Sequence, residues 1–284
     1  MNPISVLELG AYEALWMRER TTFASLARLF GRRPGSRPSD FVPKAEAERF
    51  GRAALELADR AGIGSFDLLV HRMLAYPAKL REAKHPVEAL YAQGQPDLLA
   101  GRCAAIVGTR RPSPEGAALA ARIARHLAQA GFVVLSGLAE GIDTLAHCAA
   151  IEAGGATAAV LGTPLTTVYP RENIGLQRRL ARDYLLVSQV PMVRYGRRSV
   201  AQNGQFFRDR DATLAALAEV VVIVEAGDRS GALICARHAL DQGRRVFVPE
   251  ACFHGAALAW PERLLRRGAI RVRTVEQIDE HVPR

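Results

Sequence analysis

Arg110 and Arg111 follow Gly108 and Thr109 at the end of the apolar run Ala104–Val107, just before a helix start at Ser113-Pro114-Glu115. A buried strand that ends in glycine and opens into a helix presents backbone N–H groups without intrahelical partners, and the helix dipole favours negative charge there. Two forked guanidinium donors at the same spot suit phosphate. The chemistry offered is anion binding. Glu225-Ala226-Gly227-Asp228-Arg229-Ser230-Gly231 is a second turn of the same kind, with Ser230 and Gly231 opening a helix; the same residues also suit an ordinary strand-to-helix turn with a serine cap. In Ser136-Gly137-Leu138-Ala139-Glu140-Gly141-Ile142-Asp143, the two glycines allow close backbone approach or positive φ, and Asp143 is placed to cap the next helix. His147 lies four residues on, on the same helix face. A cap beside a satisfied buried histidine is a simpler reading than a polar pair on a pocket floor, and two residues do not make a metal site.

A third feature begins at Tyr169-Pro170-Arg171. From Arg171 to Arg210 nine arginines face three acids, with Tyr195, Phe206 and Phe207 interleaved. Cationic groups among aromatic faces suit single-stranded nucleic acid, whose phosphates need neutralising and whose unstacked bases gain ~1–3 kcal/mol on a ring. A solvated charged loop with core aromatics has the same composition. There is no Ser/His/Asp elbow, no G-x-x-x-x-G-K-[ST], no H-E-x-x-H and no G-x-G-x-x-G. No catalytic constellation and no cofactor are therefore expected.

These turns need a scaffold that brings them together. From Cys103 onward strand and helix alternate: strands are expected at Cys103–Val107, Phe132–Leu135, Thr157–Leu161, Tyr184–Val187, Val220–Val224 and Arg245–Val248. Helices are expected at Pro114–Ala130, Ile142–Ala153, Ile174–Ala181, Asp211–Leu217 and Gly231–Gln242. Short continuous apolar strands alternating with helices predict a doubly wound, mostly parallel α/β sheet of Rossmann-like type. Its ligands would sit beyond the carboxyl ends of the strands, which Gly108, Ser136-Gly137, Gly162-Thr163 and Glu225-Ala226-Gly227 mark. Residues 1 to about 95 read as helices and loops. Ala45–Ala61 is amphipathic, with Phe50, Ala54, Leu57 and Ala58 on one stripe, and Gly31–Pro43 is a loop or linker. The expected division is a smaller helical N-terminal domain, 1–75, and a Rossmann-like domain, 76–284.

The chain of 284 residues is 49% hydrophobic with a formal net charge of +9. That supports a large core and raises the prior for a polyanionic partner, although an arginine-rich composition also follows from a GC-rich genome. Cys103, Cys148, Cys235 and Cys252 form no C-x-x-C pair and suit a reducing compartment. Met1–Gly10 has no signal-peptide pattern, and no run approaches the ~18 apolar residues of a membrane span. The expectation is a cytoplasmic protein with no membrane partner.

The segments G-T-R-R-P-S-P-E-G (108–116), S-G-L-A-E-G-I-D-T-L-A-H (136–147), A-V-L-G-T-P-L-T-T-V-Y-P-R-E-N (159–173), V-V-I-V-E-A-G-D-R-S-G-A-L-I-C-A (221–236) and G-R-R-V-F-V-P (243–249) stand in an order that resembles the DNA-processing protein A family, DprA/Smf. Y-P-A-K-L (76–80) and Pro86–Gly94 resemble its lead-in, and the likeness runs from about 76 to 273. The resemblance implies a homodimer without catalytic activity that protects incoming single-stranded DNA and loads the RecA recombinase in natural transformation. It implies phosphate contacts from Arg110 and Arg171 in the Gly108-Thr109-Arg110-Arg111 and Tyr169-Pro170-Arg171 segments. It places Ser136 and Gly137 on the pocket wall, matches Phe207 and Arg210 to the family's Phe-Pro-x-Arg-Asn-Arg segment, and matches Ser230 and Gly231 to its Ser-Gly helix start. Departures are Asp211 for Asn, Ala212 for the last Arg, Glu140 where many members carry Arg, and Glu250 for Gly. The chain is also expected to lack the winged-helix domain that many members add. A different class is a nucleotide-binding sensor or nucleotide-processing enzyme on a related fold, although the P-G-G-x-G-T-x-x-E helix start of the Lonely-Guy-type phosphoribohydrolases is missing. A third reading has the N-terminal helices docking a protein partner.

Overall fold

The apolar runs from Cys103 onward form the middle of one nine-stranded sheet, ordered β1-β2-β6-β5-β4-β3-β7-β8-β9. The structure is a computed structural model that describes residues 6–71, 76–83, 87–254 and 258–282. Residues 1–5 of the N-terminal stretch and Pro86 of the lead-in lie outside the described residues.

In chain order, α1 (Val6–Met17), α2 (Phe23–Gly31) and α3 (Lys44–Arg60) precede β1 (Asp67–Val70), α4 (Ala78–Arg81) and β2 (Ala89–Gly94). Next come β3 (Cys103–Val107), α5 (Pro114–Gln129), β4 (Val133–Ser136), α6 (Ile142–Glu152), β5 (Thr157–Leu161), α7 (Ile174–Asp183) and β6 (Leu185–Ser188). The chain continues through α8 (Met192–Gly196), α9 (Val200–Leu217), β7 (Val220–Ile223), α10 (Ala232–Asp241), β8 (Arg245–Pro249), α11 (Trp260–Leu265), β9 (Ile270–Val272) and α12 (Gln277–Glu280). From β6 across to β9 every pairing is parallel; β2 pairs antiparallel with β6, and β1 with β2.

The alternation of side chains along each strand divides the core. Leu90, Ala105, Leu135 and Val160 point to one face and pack with Leu214 and Leu217 of α9, Leu233 of α10 and Trp260 of α11. On the other face Tyr91, Leu161 and Leu186 join Tyr12, Trp16 and Phe50 of the N-terminal helices. Ile106, Val134 and Val222 pack there with Ile123 of α5 and Ala146 of α6. The helices of residues 1–75 thus share one core with the sheet, tied by a buried carboxylate: Glu13 of α1 accepts from Tyr91 Oη (2.7 Å) and from the backbone N–H groups of Met192 (2.8 Å) and Val193 (3.1 Å).

The six expected strands are present within a residue or two. Three more were not expected. β1 and β2 lie inside the stretch read as helix and loop, and β9 lies near the C-terminus. The helix expected at Asp211–Leu217 begins at Val200, with Ser199 accepting from Gln202 N–H and Gln202 Oε1 accepting from Ser199 N–H. Among the described residues no helix is long and apolar enough to cross a membrane.

Candidate nucleic-acid interface

The strand order reverses between β3 and β7, the place where an open α/β sheet leaves a crevice. The two strands part beyond Val107 and Glu225, after Thr109 N–H donates to Glu225 O (2.7 Å). A cavity of about 480 Å³ opens there, bordered by Gly108–Arg111 on one side and Arg229–Ala232 on the other, with Asp143, Arg210 and Asp211 between. The two anion-type turns of the sequence therefore line one site.

The Gly108 side is held by Glu225, whose carboxylate accepts from Ser113 N–H (3.1 Å) and Ser113 Oγ (3.0 Å). Ser113 Oγ in turn accepts from Gly116 N–H (3.0 Å) and caps α5. Glu225 is thus committed to joining β7 to the start of α5. Asp228 pairs with Arg263 at 3.1 Å.

Asp143 lines the cavity, but it does not cap α6 as expected. The N-cap of that helix is Gly141, with φ +75°, and no side chain caps it. Asp143 Oδ2 accepts instead from Gly137 N–H (3.1 Å) and Ala139 N–H (3.3 Å), folding the loop after β4 back on itself. Its companion His147 is elsewhere, buried with Nδ1 2.7 Å from Thr157 Oγ1. Burial drives the imidazole pKa down to about 3, so it is neutral. The two residues share a helix face and no site.

Arg210 sits between two acids. It donates to Asp211 Oδ1 (2.9 Å) and to Val160 O (3.0 Å), and it stabilises the charged form of Asp143. Burial pushes both carboxyls up, Asp211 to about 6, against the pull of Arg210. Gly137 supports this floor from the neighbouring loop: a Cβ there would lie 1.6 Å from Arg210 Nη1. Ser136 and Gly137 therefore do not line the cavity. Ser136 is fully buried and its hydroxyl donates to Ile106 O (2.6 Å), which is structural work between adjacent strands.

The positive rim differs in kind. Arg110, Arg111 and Arg229 border the cavity and are exposed, and Arg171 is exposed beyond it at the β5 side. Among the described residues none of the four has an acidic partner. Arg110 reaches Tyr169, donating to its hydroxyl (3.3 Å) with the guanidinium 5.9 Å from the ring centre. Tyr169, 43% exposed, meets Phe207 edge to face at 5.4 Å between ring centres. Phe207 lies over Gly162, where a Cβ would come within 2.5 Å of the ring. A path of arginine and two rings thus leads from the crevice to the end of β5, with Arg171 two residues beyond Tyr169.

The aromatic pair in α9 separates by function. Phe206 is buried against Trp16, Phe23 and Tyr195. Phe207, one position on, is half-buried and faces Tyr169. Tyr169 and Arg229 were not singled out in the sequence. The tyrosine stood in the quoted Tyr-Pro-Arg segment, and the arginine between an acid and the helix start.

The fold and the crevice define a Rossmann-like α/β protein with an arginine-lined crevice at its topological switch point. The sequence matches the family model described as DNA recombination-mediator protein A over residues 67–283, and the chain belongs to that family. It is 35% identical over 210 residues to the DNA processing protein DprA of Bacillus subtilis, an alignment covering 73% of this chain and 68% of that protein. It is also 35% identical over 208 residues to Protein Smf of Escherichia coli, covering 73% of this chain and 54%, about half, of the relative. The X-ray structure of DprA from Streptococcus pneumoniae superposes with a TM-score of 0.69 at 26% identity, over 98% of this chain and 94% of that one. A Helicobacter pylori DNA processing protein A, whose structure is described in terms of its single-stranded DNA binding mode, superposes with a TM-score of 0.64 at 26% identity, over 76% and 95%.

Proposed function

We propose that the crevice and its rim hold the backbone of single-stranded DNA, with the protein acting as a binder in recombination. The observation that carries this reading is the set of four exposed arginines without acidic partners, Arg110, Arg111, Arg171 and Arg229, beside two rings open to a base, Tyr169 and Phe207. The N-terminus of α10, which opens at Gly231 on the cavity wall, adds its positive dipole end for phosphate. Arg210 lies on the floor, where Asp143 and Asp211 offset its charge, so the positive charge offered to the strand is that of the exposed rim arginines. The single-stranded DNA binding of the Helicobacter relative supports the assignment.

On this reading the protein works in the cytoplasm as a homodimer without catalysis of its own, and passes its strand to a RecA-type recombinase. Gel shift of labelled oligo-dT against the Arg110→Ala/Arg171→Ala variant tests the site; binding equal to wild type rejects it. Thermal shift separates the nucleotide-sensor alternative: stabilisation by one mononucleotide and none by an oligonucleotide would favour the sensor.

A further inference from the structure

Beside the crevice, between α10 and α11, lies a second cavity of about 390 Å³. The two share Arg229 and Ser230. The second has an arginine rim of Arg229, Arg237, Arg263 and Arg267, with Asp228 the one acid on its lining. That acid is spent on Arg263, and Arg267 pairs with Asp241 at 2.7 Å outside the lining. Arg237 donates to Leu233 O of its own helix and has no ion pair among the described residues. Leu233, Ile234 and Leu264 supply an apolar floor, and Trp260 forms a fixed wall because its indole N–H is held by Ala226 O (2.7 Å).

We infer that this groove continues the single-strand track, seating an unstacked base on the Leu233–Leu264 floor while Arg229 and Arg237, the lining arginines without an acidic partner among the described residues, take the flanking phosphates. The inference rests on the DNA-binding reading of the first crevice. Continuity through Arg229 and Ser230 gives the strand a direct route from one cavity to the next. A simple anion would use the rim and leave the apolar floor wet, and an apolar helix would bury guanidinium groups without partners. A second copy of this face would set arginine against arginine. A nucleotide of single-stranded nucleic acid uses both features, and the cavity falls in the ~300–1,000 Å³ range of ligand clefts.

The test compares wild type, Arg237→Ala and Arg110→Ala/Arg171→Ala on thymidine oligonucleotides of about 4 and about 16 residues, the span of site sizes for single-strand binders. Arg237 is exposed, and equal melting temperatures confirm intact folding. The groove variant is expected to bind the short oligonucleotide as wild type does. It should lose about fivefold or more on the long one at low salt, with the magnitude of its log–log salt slope reduced by about 0.7. Unchanged binding of both lengths, or equal loss on both, overturns the inference. So does poly-glutamate competing as well as the long oligonucleotide, since charge alone would then fill the groove. If wild type binds neither length, the DNA-binding reading itself fails, a result distinct from failure of the groove variant alone.

Discussion

Removing Arg110 and Arg171 together should change how binding responds to salt, and by an amount the structure sets. Four exposed arginines without acidic partners border the crevice and its β5 extension, so up to four phosphates are neutralised there. Each phosphate contact on a single strand contributes about −0.7 to the slope of log K against log salt, which gives about −2.8 for wild type and about −1.4 for the double alanine variant. Between about 50 and about 200 mM salt, affinity should then fall roughly 50-fold for wild type and roughly 7-fold for the variant. Fluorescence anisotropy with labelled oligo-dT over that range measures both. Arg237 in the groove raises the wild-type slope for long strands, so a 5′-phosphorylated oligonucleotide of about 4 residues, which carries four phosphates, is the right probe. A variant slope equal to that of wild type refutes the reasoning, because the two side chains would then touch no phosphate. Loss of Arg110 also frees the Tyr169 hydroxyl, so affinity can drop further at constant slope.

Other substitutions separate charge from stacking and stability from binding. Gly162→Ala pushes a Cβ into the Phe207 ring, so oligo-dT affinity should fall while the salt slope stays at its wild-type value; a changed slope in anisotropy counts against the stacking role. Phe207→Ala should weaken binding by ~1–3 kcal/mol, the worth of one stacked base, measured by the same titration. Glu13→Ala leaves Tyr91 Oη and two backbone N–H groups without their buried acceptor, a loss of at least about 3 kcal/mol in urea unfolding, with Glu13→Gln costing less. Asp211 has its carboxyl raised from 3.8 to about 6 by burial, so the folded state holds the proton more tightly than the unfolded chain. Its burden on stability is absent below about pH 4 and complete above about pH 6, so stability falls as pH rises through that window. DNA affinity follows the same direction, rising as pH drops through 6 and the pocket loses a negative charge; Asp211→Asn should flatten both dependences, and an unchanged pH profile in the variant rejects the assignment.

What could be read from the residues was the part governed by local pattern. Ala104–Val107 and Val220–Val224 are uninterrupted apolar runs because both faces of their strands are covered, and a glycine follows at Gly108 and at Gly227 because the chain must turn there. That pattern placed the doubly wound sheet and the two turns that meet at the switch point. β2 was harder to read. Its Ala89, Leu90, Tyr91 and Ala92 are all buried, but β1 and β2 attach antiparallel at one side of the sheet, outside the strand–helix rhythm that flagged the others. α9 was read short because its first turns, Val200 to Arg210, mix glycine, glutamine and charge, with helical start chemistry carried by Ser199 and Gln202.

Side-chain roles needed the third dimension. Asp143 has the sequence position of a helix cap, and Ser136 that of a pocket hydroxyl, yet each spends its oxygen on backbone of a neighbouring segment. Spacing reports which residues share a face; it does not report which neighbour arrives first. Asp211, at the position where the resemblance implies asparagine, shows the consequence. Read along the chain, it weakens a positive pocket. In the folded protein it pairs with Arg210, and it lies near Asp143, whose charge opposes its own ionisation. With one cation against two carboxyls the floor adds no positive field, and strand capture passes to the exposed rim. A floor of this kind makes the grip sensitive to pH without making it depend on the floor for charge, which is why Asp211→Asn should alter the pH profile while Arg110→Ala/Arg171→Ala alters the salt slope. If both variants moved both observables alike, floor and rim would be one electrostatic unit and the division drawn between them would be wrong.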